Sequence, residues 1–196
     1  MAITYHETSK TLTGANSDYT LRTVSVAGTT ATVRAELASG GSADMTADCA
    51  SGSVTMKGSS GLGAAVQGTT FKTTVVSSSG TFMPADVKAG STWDSSETIR
   101  MDLTGSSAAS MGPITVTTTE QSLAIGNEPV TVPAGTFTAM KVEIKRTSSS
   151  AAKLGKIPPS TEKSTEWWVK GVGMVKSVTI GPDGTSTIEA KLITGK

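Results

Sequence analysis

Between Thr138 and Arg146 the chain alternates. Met140, Val142 and Ile144 fall on one parity, while Lys141, Glu143 and Lys145 fall on the other. Successive strand side chains point to opposite faces, so this pattern predicts a half-buried antiparallel strand with one wet side. Val132-Pro133-Ala134-Gly135 before it reads as a turn, since proline fixes φ and glycine tolerates positive φ. Residues 130–133 then form a short strand ending at that corner. Downstream, Glu166-Trp167-Trp168-Val169-Lys170 is a strand with aromatics on both faces. Val172, Met174, Val178 and Ile180 resume the alternation, which Lys176 interrupts. Gly181-Pro182-Asp183-Gly184 turns into a returning strand with Ile188, Ala190 and Leu192 on one side.

The same rhythm fills the rest of the chain. Strands are predicted at 3–6, 19–26, 30–37, 45–49, 54–57, 71–76, 98–103 and 114–120. Tyr19 and Leu21 share a parity that Val24 and Val26 do not, which predicts a bulge between them. Cys49 shares the parity of Met45 and Ala47, which predicts a buried thiol. Residues 83–93, Trp93 included, read as an ordered connection. Residues 58–68 and 105–112 read as small-residue loops, and 147–160 as a linker stiffened by Pro158-Pro159. About eleven short strands with little helix predict an all-β fold. The expectation is one domain over residues 1–196, an antiparallel half-barrel or strongly bent sheet.

Val132-Pro133-Ala134-Gly135-Thr136-Phe137, the alternating strand after it, and Glu166-Trp167-Trp168-Val169-Lys170-Gly171-Val172-Gly173-Met174-Val175-Lys176 carry a resemblance. Together with Phe82-Met83-Pro84 and the run from Val87 to Trp93, they resemble an uncharacterised family of exported bacterial proteins, a domain of unknown function in places labelled TapB-like. The resemblance covers residues 82–193. It implies a β half-barrel or clamp, by analogy with lipoprotein carriers of the LolA and LolB type. It implies no activity.

Composition narrows the function classes. Thr and Ser number 33 and 26, so 33 + 26 = 59 of 196 residues carry a small hydroxyl, which suits pleated, half-wet surfaces. The net charge is +1 and no basic run exceeds two residues, which argues against nucleic acid as a partner. No apolar run approaches the roughly 20 residues of a transmembrane helix. Met1-Ala2 leads into a strand with no apolar leader, so the expectation is an exported or envelope protein whose signal peptide is absent from this sequence; a cytoplasmic protein is the alternative.

Chemistry is sparse. His6 is the single histidine and Cys49 the single cysteine, so neither a nucleophile–base triad nor a zinc site can be assembled from sequence neighbours. Asp94 with Glu97, and Asp44 with Asp48, read as solvated surface, and Ser150-Ala151-Ala152-Lys153 lacks the partner motifs of a penicillin-binding enzyme. The expectation is a protein without catalytic residues, cofactor or metal. Trp167 and Trp168 point to opposite faces, so one of them faces solvent, a second layer or a cavity. Trp167, Trp168, Trp93, Met174 and Lys176 are therefore the candidate ligand contacts, with a lipid or other apolar small molecule as the expected ligand and the protein partner unknown. A structural or adhesive surface module, meeting proteins or glycans through its Thr-rich sheet, is the alternative.

Overall fold

A computed structural model describes residues 1–11, 16–38, 42–49, 53–57, 70–104, 112–152 and 155–195. Among these, twelve antiparallel strands form one sheet. They are β1 (Ala2–Thr11), β2 (Ser17–Ala27), β3 (Thr30–Leu37), β4 (Ser42–Asp48), β5 (Thr55–Lys57), β6 (Thr70–Gly80), β7 (Thr92–Thr104), β8 (Ile114–Val132), β9 (Gly135–Ala152), β10 (Gly155–Val169), β11 (Gly173–Gly181) and β12 (Gly184–Thr194). The all-β expectation holds, and no helix occurs among the described residues.

The order across the sheet is β5-β4-β3-β2-β1-β12-β11-β10-β9-β8-β7-β6. The first and last strands therefore lie side by side in the middle, and the two edges, β5 and β6, are consecutive in sequence. Those edges approach each other. Val54, just before β5, bridges Met83, in the connection after β6. The sheet is thus an open ring whose ends touch at one bridge, without a continuous closing ladder.

Bulges steer the side chains. The predicted irregularity in β2 falls where expected, as a register shift between Thr23 and Ser25 that leaves Val24 and Val26 exposed. Another, between Ala124 and Gly126, reverses the faces of β8, so that Ala124 shares a face with Val142 but Val130 and Val132 share one with Ala139. Past it, the β8–β9 hairpin tip docks on β12 through Ala134 N–H donating to Ala190 O at 3.0 Å. The resulting core joins Ile3, Tyr5, Val175 and Ala190 to Val130, Val132 and Ala139. Tyr5 stacks on Tyr19 at 5.1 Å and donates its hydroxyl hydrogen to Met174 O at 2.7 Å.

Several expectations are corrected. Residues 130–133 are not a separate strand but the end of the 19-residue β8, because the bulge lets one strand continue through its polar middle. Residues 147–160 are no linker: Thr147 pairs with Thr161 and Ser148 with Ser160, and β-compatible hydroxyl residues extend the β9–β10 hairpin. Trp93 belongs to β7. Val175 and Ser177 are buried where Val178 was expected inside, because a register shift at Trp167/Trp168 changes the parity of β11. Leu192 is 55% exposed, since the shift between Thr4 and Tyr5 turns it outward. Cys49 is exposed, because it lies just past the end of β4. Both loops at 58–68 and 105–111 lie outside the described residues.

One glycine is required by close approach. Gly80 has φ +77°, and a Cβ there would stand 2.2 Å from the Asp94 carbonyl oxygen. Gly80→Ala is expected to destabilise the protein by about 1–3 kcal/mol, the scale of a forced backbone outlier, read as a lower urea midpoint with an unchanged slope.

Candidate functional site

Alternation carries polar residues onto the inner face as well as apolar ones. In register across four adjacent strands stand Ser95, Glu120, Arg146 and Glu162. Arg146 donates from Nε to Glu120 Oε1 at 2.6 Å and from Nη1 to Glu162 Oε1 at 2.7 Å. The Ser95 hydroxyl donates to Glu120 Oε2 at 3.3 Å. The neighbouring row holds Ser122, Ile144, Ser164 and Thr179, and the next holds Ala124, Val142, Glu166 and Ser177. Ser164 Oγ lies 3.1 Å from both Ser177 Oγ and Thr179 Oγ1.

Burial and pairing pull the charges in opposite senses. Desolvation works against the Arg146 cation, but Glu120 and Glu162 outweigh it and raise the guanidinium pKa, so one cation stays charged between two carboxylates. Glu166 is buried too. Desolvation raises its carboxyl pKa against the opposing pull of Arg146 and of hydrogen bonds from Trp168 and Ser164. Tyr5 and Tyr19, packed nearby, are pushed up chiefly by burial.

The five expected contact residues separate into two groups on opposite faces. Trp168 shares the inner parity of Glu166 and donates its indole N–H to Glu166 Oε2 at 2.9 Å. Phe82 meets the Trp168 ring edge-on at 5.6 Å, and Trp93 donates its indole N–H to Phe82 O at 3.0 Å. Trp93 and Trp168 are thus joined through Phe82, at the point where the sheet's ends meet. Met174 sits opposite Trp168 on β11. On the other face, Trp167 donates to Glu128 Oε1 at 2.7 Å, with Lys141 and Lys176 Nζ at 5.8 and 5.9 Å from its ring centroid. Lys176 pairs with Glu189 at 2.8 Å. Both indoles are half-buried. His6 lies 2.6 Å from Asp18, whose carboxyl is held below its ordinary range by hydrogen bonds from Lys191 and His6.

Residue-by-residue reading missed Arg146, Glu120, Glu162 and Glu166. Their signal was present in the parity, which runs from Ile144 to Arg146 and from Trp168 through Glu166 and Ser164 to Glu162.

Two depressions lie at the β6–β8 end. A small chamber of about 30 Å³ is bounded by Thr55, Ser78, Phe82, Glu97, Thr118 and Glu120. Beside it, an open groove of about 600 Å³ is lined by Ser79, Asp94, Ser96, Thr119, Gln121, Lys145 and Thr147, among others. Among the described residues, no group of three or more His, Cys, Asp or Glu side chains could hold a metal ion, and no helix is long and apolar enough to cross a membrane.

An antiparallel sheet coiled until its edges touch, with hydrogen-bonded polar rows on its inner face, defines an all-β scaffold. The chain belongs to the DUF3108-like family, whose model matches residues 22–185 and so reaches about 60 residues further upstream than the sequence motifs indicated (82 − 22 = 60). Two solved structures share the fold. A "putative exported protein with YmcC-like fold" from Bacteroides fragilis aligns with a TM-score of 0.66 at 16% identity, covering 99% of this chain and 95% of its own. A "putative lipoprotein" from Parabacteroides distasonis aligns at 0.60 and 14% identity, covering 98% and 94%. No curated protein matches the chain.

Two outcomes follow from the inner rows. Arg146→Met leaves Glu120 and Glu162 without their cation and is expected to cost about 2–4 kcal/mol, below the full buried-pair range because the Arg146 side chain is 27% exposed. Glu166 has a folded pKa above its unfolded one. Its contribution is therefore complete below the ordinary glutamate range and is lost as pH rises through the raised value. Urea midpoints across that window should fall with pH in the wild type and change less in Glu166→Gln.

Proposed function

We propose that this protein is a non-enzymatic interaction module of the bacterial cell envelope, and that it meets an envelope glycan across the outer face of β6–β10. The open groove beside Gly80 carries this reading. Its lining is mostly hydroxyl and amide, with Asp94, Lys145 and the Arg146-paired Glu120 as its charged members. Beyond the groove the outer face continues as rows of hydroxyls in register: Ser79, Ser96, Thr119, Thr147 and Thr161 in one, Ser77, Thr98, Thr117 and Ser149 in the next. Neighbours within the rows bond to each other, Thr98 to Thr117 at 3.1 Å and Thr147 to Thr161 at 3.2 Å. These rows offer donors and acceptors at strand spacing, about 4.8 Å, with no charged side chain among them to select an ionic partner. The placement in the envelope is supported by the two solved neighbours, one described as an exported protein and the other as a lipoprotein. The absence of catalysis is supported by the pairing of Arg146, Glu120 and Glu162 with one another and by the position of His6 against Asp18.

A second reading, binding of an amphiphile, is favoured by one observation: Trp93 and Trp168 converge on Phe82 at the junction of the sheet's ends. The hydrogen-bonded inner rows weigh against it, because burying an acyl chain at about 0.8 kcal/mol per CH₂ requires an apolar cleft.

An array of envelope polysaccharides separates the two. The glycan reading expects retention of at least one polysaccharide, weakened tenfold or more (roughly 1.4 kcal/mol) in Thr119→Arg/Thr147→Arg, with an unchanged circular dichroism spectrum. Absence of any retention overturns it. A micromolar shift of tryptophan emission by fatty acid or phospholipid, lost in Trp168→Ala, would establish the amphiphile reading in its place.

A further inference from the structure

We propose that the junction between Val54 and Met83 is a gate: the ring of strands opens there, and only there, while the remaining ladders stay intact. Three backbone hydrogen bonds hold the junction, Val54 N–H to Met83 O at 2.7 Å and Phe82 and Met83 N–H to Val54 O at 2.9 and 3.1 Å. Every other pair of neighbouring strands is joined by a ladder, and the ladder at β8–β9 runs from Thr115 to Val132. Local opening costs roughly what it breaks, so the junction is the least costly place to part the ring.

The two sides of the junction are unequal. On one side, the connection carrying Phe82 and Met83 is fixed to the body. Thr81 N–H donates to Asp94 O at 3.0 Å, Gly90 N–H to Ala124 O at 2.8 Å, and Trp93 grips Phe82 O at 3.0 Å. Positive φ at Gly80 and Gly90 sets its two corners. On the other side stands β5, three residues long and, among the described residues, laddered to β4 alone. The post is firm and the leaf is light. The Phe82 ring against Trp168 braces the post, and Trp168 is itself anchored to the buried Glu166 carboxyl at 2.9 Å.

What lies behind the leaf gives the opening a consequence. Thr55 and Phe82, each adjacent in sequence to a bridge residue, bound the chamber that reaches Ser95, Glu97, Thr118 and Glu120. Parting the bridge removes one wall of that chamber. This device rests on the Val54–Met83 bridge and not on the glycan reading.

Native-state hydrogen exchange on the full chain tests it. The amides of Val54, Phe82 and Met83 should exchange at least about 100-fold faster than that of Val142, without denaturant dependence, as local openings do. A lock provides the second arm. Val54 and Met83 exchange both of their hydrogen bonds, a pairing with Cα atoms about 5.5 Å apart, within disulfide reach. Val54→Cys/Met83→Cys in a Cys49→Ser background should, when oxidised, slow exchange at Phe82 towards that of Val142, and reduction should restore it. Phe82→Ala, which removes the ring that braces the post, should speed exchange at Val54 and Met83 and leave Val142 unchanged. Junction amides that already exchange with the slow core, or an oxidised Val54→Cys/Met83→Cys lock that leaves exchange at Phe82 unchanged, would overturn the gate.

Discussion

The fold depends on the ladder between β1 and β12. Strands β1–β5 form one meander and β6–β12 another, and among the described residues nothing else of comparable extent joins them. Ala2 to Thr11 pair with Thr194 to Gly184 along the full length of β1. That ladder places Tyr5 opposite Ala190 and against Tyr19, and the Tyr5 hydroxyl then reaches Met174 O on β11. A tyrosine buried this deeply needs a partner for its hydroxyl, and the carbonyl freed by the β11 bulge supplies it. Once β1 and β12 are joined, β5 and β6 become the outer edges, and curvature brings them within reach of each other.

The inner face shows how a chain poor in aromatics organises an interior. Where a larger apolar side chain is lacking, cross-strand hydroxyls and one arginine between two glutamates fill the row. Such rows are stable only when each member is satisfied. Ser164 shared between Ser177 and Thr179, and Arg146 shared between Glu120 and Glu162, meet that condition. The cost is sensitivity: removal of one member leaves its neighbours buried without a partner.

Much of the fold was legible from parity alone. The alternation around Met140, Val142 and Ile144 located β9, and the mismatch between Leu21 and Val24 located a bulge, because apolar residues flank it on both sides. The bulge at Ala124/Gly126 was not legible, since Leu123, Ala124 and Ile125 are apolar on both parities and mark neither face. The β9–β10 hairpin was misread for another reason: Ser and Thr are neutral in the pattern until a partner strand is known. Of the candidate contacts, Trp168 and Trp93 do meet, through Phe82, but no sequence rule links positions 82, 93 and 168. Arg146 was hidden by its charge, because a basic residue at the end of an alternating strand reads as solvated until the carboxylates opposite it are seen.

The adjacency of β1 and β12 has a consequence for the chain as a line. Gly195 lies against Met1, with a Cβ position 3.6 Å from the Met1 Cα. A circular permutant, joined there and cut between β5 and β6, would begin at β6 and end at β5. Every strand would then pair with its immediate successor, and the two edge strands would approach each other through the Val54–Met83 bridge. The native order instead requires β1 to wait for β12, a closure across nearly the whole chain, and loop-closure entropy makes such pairings late and slow. The native connectivity thus trades folding speed for a Val54–Met83 contact between strands that are neighbours in sequence.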